Sequence, residues 1–240
     1  MDVVQALERI RTAKWIDGDG DQLDVQFLPG LSEEALDQME SRIGTPLPSD
    51  YRRLAATCGV IDGAGIEIDF SGSDGFWVEE ILPRGLPFAH DGCGNYWVVD
   101  CRSQREELAC IFYACHDAPV VVFQGTGMAS FIDALPAFDR GERESAIWQV
   151  WDQSVWRIWE TCPGVISQQE ALASTDPAIR TFAIELNEPC QISDLRGARP
   201  GDGFPWGRYG PNTRLRRFGE ERIFAFAPPM KEGLLSRLFG

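Results

Sequence analysis

The chain has 240 residues, 44% of them apolar, and its 22 basic and 37 acidic side chains leave a net charge of −15. That balance excludes a disordered polymer and leaves room for one elaborated domain, or one domain plus a sizeable extension. No apolar run approaches the roughly 18 residues that span a membrane. The opening MDVVQALERIRTAKW has no basic start followed by an apolar block, so the expectation is a cytoplasmic protein without a secretory signal.

Residues 2–16 read as a helix, with Asp2 and Gln5 at capping-box spacing and Val3, Ala6, Leu7 and Ile10 on one face. The DGDGD run at 17–21 breaks it. Ser32 is placed to cap a second helix with the stripe Leu36, Met39 and Ile43, which Gly44 ends. A third helix is expected from Ser49, as its cap, to Gly59. GIEIDF (65–70), FWVEEIL (76–82), NYWVVDC (95–101), LACIFYAC (108–115) and PVVVFQ (119–124) then read as strands. Their short links favour antiparallel neighbours. Helix returns at 128–140. Over 144–160, Trp148, Trp151, Trp156 and Trp159 share an arc of about 140° on an ideal helix. That segment suits either a helix clamped into the core or an aromatic docking face. Two short helices follow, with Ser167 and Glu170 at capping-box spacing. From about 190 the chain is rich in Gly, Pro and Arg and reads as an irregular extension, with ERIFAFA as one added strand. The expected architecture is α+β, a mainly antiparallel sheet of five to six strands flanked by helices.

The motifs offer little chemistry. DGDGD starts like a calcium loop, but Gln22 stands at the sixth position and Leu28 at the twelfth, so it reads as a solvated turn. His90, Cys93, Cys115 and His116 form no paired metal-ligand unit. Seven cysteines at irregular spacing read as reduced thiols rather than a disulfide framework. Cys58 and Cys93 lack the local features of an activated nucleophile. Gly125-Thr126-Gly127 precedes a helix, but no basic residue follows closely, and it reads as a turn. No catalytic residue, metal or cofactor is expected. The charge is uneven: residues 61–120 carry 3 basic and 11 acidic groups, whereas 181–240 carry 9 and 7. Such a body repels nucleic acid and acidic membranes and attracts basic proteins. Glu67 and Asp69 share one strand face, with Asp74, Glu79 and Glu80 near the next strand.

In order, PGLSEEALDQMESRIGTPLPSDYRRLAATCG, LPFAHDGCGNYWVVD, PVVVF and SFIDAL resemble the SUKH superfamily over about residues 29–137. Its members include the yeast cell-wall-assembly regulator and many bacterial immunity proteins. The matching positions are Leu47, Pro48, Asp50 and Tyr51, then Pro87, Phe88, Ala89, Asp91, Gly94 and Asp100, then Pro119, Val120, Ser130 and Phe131. Asn95 stands where many relatives carry an acid. The HDGCGNYWVVD stretch then reads as a structural turn, with Gly92 and Gly94 supplying the backbone angles and Asp91 bonding local N–H groups.

The resemblance implies a SUKH-like domain over 1–142, with 143–240 as a C-terminal extension that it does not cover. It implies a non-enzymatic immunity protein that binds a cognate toxin, or else a regulatory scaffold contacting several cellular partners. For a toxin with a basic surface, the expected contacts are Glu67, Asp69, Asp74, Glu79 and Glu80 for charge. Trp77 or Trp97 would be the buried anchor.

Overall fold

The computed structural model describes residues 2–72, 81–186 and 188–229. Its first part follows the sequence's caps, though the helix expected over 2–16 stops at Arg11, where Thr12 caps it and Trp15 turns back to bond the Ile10 carbonyl. Asp2 accepts the Val4 N–H and opens α1 (Val3–Arg11), which buries Val3, Ala6, Leu7 and Ile10. After edge strand β1 (Gln26–Pro29), Ser32 caps α2 (Glu33–Ile43) through the Ala35 N–H, and Gly44 ends it in the left-handed region. Helix α3 (Ser49–Thr57) departs from expectation. Its cap is Pro48, and Ser49 donates its N–H to the Glu106 carbonyl instead of capping through its hydroxyl. The helix also passes directly into β2 (Cys58–Asp62).

Strands β3 (Glu67–Asp69), β4 (Gly85–His90), β5 (Tyr96–Asp100), β6 (Cys110–Cys115) and β7 (Val120–Thr126) follow. The FWVEEIL segment lies outside the described residues except Ile81 and Leu82, which are buried in a turn. Helices α4 (Met128–Asp133) and α5 (Leu135–Asp139) lead to the Trp-rich stretch. That stretch is α6 (Ala146–Trp148), a π-helical turn (Gln149–Ser154) and α7 (Val155–Thr161). Val150 and Val155 are both buried. Five residues apart, they would diverge by about 140° on a regular α-helix, and the wider π turn returns both to the core.

The rest is β8 (Val165–Ser167), α8 (Gln168–Leu172), α9 (Pro177–Glu185), β9 (Gln191–Asp194), β10 (Gly203–Phe204), β11 (Arg214–Arg217) and β12 (Ile223–Ala227). The Ser167–Glu170 capping box is present. Among the described residues the Gly/Pro/Arg-rich segment thus holds four short strands joined by turns and loops, where one added strand was expected.

The architecture is α+β. One sheet runs β1-β2-β3-β4-β5-β6-β7-β10 and a second runs β11-β12-β9-β8, with antiparallel pairing throughout. Eight strands exceed the expected five or six because β1, β2, β4 and β10 join the meander. One face of the large sheet packs on α1, α3, α4 and the Trp-rich helix. Tyr51, Phe70, Phe88 and Phe131 meet there with ring centroids 5.1–6.1 Å apart. The other face, with Val98, Phe112, Val121 and Phe123, meets Phe204, Phe224 and Phe226.

Strand β12 alternates its side chains with period two. Phe224 and Phe226 point to the large sheet, while Ile223, Ala225 and Ala227 cover Phe182 of α9. Residues beyond 142 thus contribute to both faces of the large sheet. Among the described residues no helix is long and apolar enough to cross a membrane. Replacing Phe224 by Ala should cost about 3–5 kcal/mol of stability. Urea unfolding followed by tryptophan fluorescence and by circular dichroism should show one coincident, lowered transition.

Candidate interaction surface and its buried charge supports

The turn after β4 is built around one carboxylate. Gly92 and Gly94 take φ of 72° and 88°, and a side chain at Gly94 would press on the His116 ring at 3.1 Å. Asp91 Oδ1 accepts the N–H groups of Cys93 (2.9 Å) and Asn95 (3.3 Å). Its Oδ2 accepts from Asn95 Nδ2 (2.7 Å), Trp151 Nε1 (3.0 Å) and the Tyr113 hydroxyl (3.2 Å). Burial pushes the Asp91 pKa up, but hydrogen bonds led by Asn95 and Trp151 outweigh it and hold the carboxyl below its ordinary value. Asn95 is itself buried, its Oδ1 accepting the His116 N–H at 2.9 Å. An acid at 95 would set two carboxylates against each other, so the amide suits this site. The turn is structural, as expected.

The other motif residues are also supports. Pro48 opens α3, and the fully buried Tyr51 donates its hydroxyl to the Phe70 carbonyl at 2.9 Å. Asp50 accepts the N–H groups of Tyr51, Ala109 and Met128 at 2.7–2.8 Å, joining α3 to β6 and α4. Asp100 is 0% exposed. Arg217 grips it with both terminal nitrogens at 2.7 and 2.9 Å, and Arg222 Nε adds a third contact at 2.9 Å. Composition and periodicity gave no sign that two arginines of the extension would neutralise this aspartate.

The sequence-predicted contact residues divide into three groups. Asp74, Trp77, Glu79 and Glu80 lie outside the described residues. Trp97 is corrected: it is 0% exposed, donates Nε1 to Gln124 Oε1 at 3.0 Å and stacks near Tyr113, so it anchors the core and cannot meet a partner. Glu67 and Asp69 do share a face, separated by the buried Ile68.

The pairings Gln26↔Asp62, Val60↔Asp69 and Glu67↔His90 extend that face outward from the core. Asp62 and Glu67 are exposed and Asp69 is half-buried. His90 Nε2 sits 3.4 Å from Glu67. Asp69 Oδ1 accepts the Ser71 N–H at 2.8 Å. Beside this flank, the Asp24 carbonyl packs against Gly63, bringing in the loop that carries exposed Asp19, Asp21 and Asp24. Asp17 holds that loop by accepting the N–H groups of Asp19 and Asp21. Among the described residues, the flank of β1–β3 is therefore an acidic strip.

Under the β2–β3 turn, Asp139 Oδ1 accepts the Gly65 N–H at 3.1 Å, while its buried Oδ2 has no partner among the described residues. Burial raises its pKa to about 6, against the smaller pull of Gly65 and Arg140. The folded state thus holds this proton more tightly than the unfolded chain. Its contribution to stability is full below about pH 4 and is lost as pH rises through about 6. Asp139→Asn should therefore gain up to about 3 kcal/mol at neutral pH and nothing near pH 4, read from urea midpoints across that range. Asp100→Asn should cost about 3–5 kcal/mol by stranding Arg217, measured the same way.

Five of the seven cysteines are buried and all are free, with Cys93 exposed in the turn and Cys162 half-buried. Burial pushes the Cys58 thiol up, away from the thiolate form that nucleophilic chemistry uses.

The family model of the SMI1 / KNR4 family (SUKH-1) matches residues 30–133, the span from the end of β1 through α4 that holds Asp50, Asp91 and Asp100. No curated protein and no solved structure matches the chain. Over residues 30–133, a little under half of its length, the chain is thus similar to the SUKH-1 family.

Proposed function

We propose that this protein is an immunity protein, which binds a toxin domain made by the same or a neighbouring cell and silences it by occupying a basic surface. The observation that carries this reading is the outward flank of β1–β3. There Asp62, Glu67 and Asp69 stand on a braced sheet with His90 as the one facing basic group among the described residues of those pairs. The similarity to the SUKH-1 family and the net charge of −15 support it. The protein acts in the cytoplasm by binding, with no bond made or broken. Toxins that cut nucleic acid need cationic clefts, and an acidic strip steers such a cleft into contact before short-range packing decides how long the complex lasts.

Co-expression with the toxin encoded next door should rescue growth, and the purified pair should form a complex. Absence of a complex at about micromolar concentration in low salt would overturn the reading. Recovery of several endogenous partners from cells lacking that toxin would favour a regulatory scaffold instead. In the complex, Asp62→Lys with Glu67→Lys should slow association about tenfold at roughly 50 mM salt, and the effect should shrink near 0.5 M. Stopped-flow fluorescence at the two salt concentrations measures both rates.

A further inference from the structure

The Gly125-Thr126-Gly127 segment lacks nearby basic residues in sequence, yet the fold delivers arginines to it from the extension. The loop after β9 folds back toward the end of β7 and the start of α4. Between them lies a groove of about 460 Å³. Phe123 and Leu195 give it an apolar lining. At Gly125 it is open, with nothing within 4 Å of where a Cβ would stand. Arg196, Arg199 and Arg222 line it, and no carboxylate does so among the described residues, in a chain with 37 acidic side chains.

Two of these arginines are engaged. Arg196 pairs with Asp176 and Asp194, and Arg222 with Asp100 and Glu106. Arg199 differs. It is exposed, and its guanidinium has no partner among the described residues; the same holds for the hydroxyls of Thr126 and Ser130, which also line the groove.

We propose that this groove binds a small organic oxyanion. Arg199 takes the charged head with its planar fork, Thr126 and Ser130 donate hydroxyl hydrogen bonds beside it, and the ligand's apolar body lies along Phe123 and Leu195. A guanidinium matches a carboxylate or a phosphate monoester equally well in geometry. The groove's volume falls within the range of small-molecule sites, about 300–1,000 Å³. This site lies apart from the acidic flank, so it stands whether or not that flank binds a toxin.

Isothermal titration of the full chain with adenosine monophosphate, benzoate and inorganic phosphate tests it. At least one organic anion should bind saturably with Kd below about 1 mM. Arg199→Ala should weaken that binding about tenfold or more. Arg216→Ala, at an exposed arginine of β11, should leave it unchanged. Binding of the nucleotide alone would identify a phosphate monoester, and of benzoate alone a carboxylate. The proposal is overturned if neither organic anion binds up to about 10 mM. It is also overturned if Arg199→Ala binds as well as the parent, or if inorganic phosphate matches the organic anions.

Discussion

The structure depends on one buried charge. Asp100 lies at the end of β5, inside the large sheet, and a carboxylate alone in such a place would cost several kcal/mol. Arg217 and Arg222 reach it from 117 and 122 residues further along the chain. Both make further contacts: Arg217 bonds the carbonyls of Glu220 and Ile81, and Arg222 Nη2 turns to Glu106. Arg217 also lies over the Phe224 ring at 5.4 Å. The pair therefore sets where the β11–β12 hairpin sits, and so delivers Phe224 and Phe226 to the outer face of β5–β7.

That placement decides which surfaces remain open. Helices cover one face of the large sheet, and the second sheet covers the centre of the other. Among the described residues the flank of β1–β3 stays outside this sandwich, and it carries Asp62, Glu67 and Asp69. Within the extension, Arg196, Arg214, Arg217 and Arg222 are engaged in ion pairs. Edge strand β1 ends in Pro29 and is irregular in register there, which blunts it as a template for further strand pairing.

What the sequence made legible was local. Caps at Asp2, Ser32 and Ser167, and the apolar runs of β5, β6 and β7, are signals that a few neighbouring residues carry in full. Strand β1 was hidden by its brevity and Pro29, β2 by Gly59 and its direct join to α3 at Cys58, and β4 by Gly85 and Pro87. Trp97 was misplaced because β5 is apolar on both faces: Trp97 and Val99 face the helices while Val98 faces the second sheet. With no polar side, alternation says nothing about which residue is wet. The π turn also escaped, since it answers a packing demand on Val150 and Val155 rather than a local preference. Asp91 was read correctly as a turn former, but its bond to Trp151, 60 residues away, belongs to the tertiary fold.

The bond between Asp100 and the β11–β12 hairpin also has a consequence in time. During synthesis, β5 is made more than a hundred residues before the arginines that neutralise it. Until then the nascent chain holds an uncompensated carboxylate beside a row of bare Val and Phe side chains, with β10 still missing from the sheet edge. Loops this long close slowly, and the waiting surface is open to mispairing and to capture by chaperones. The sandwich can therefore close in this arrangement only once the chain has been made as far as Arg222, 122 residues beyond Asp100.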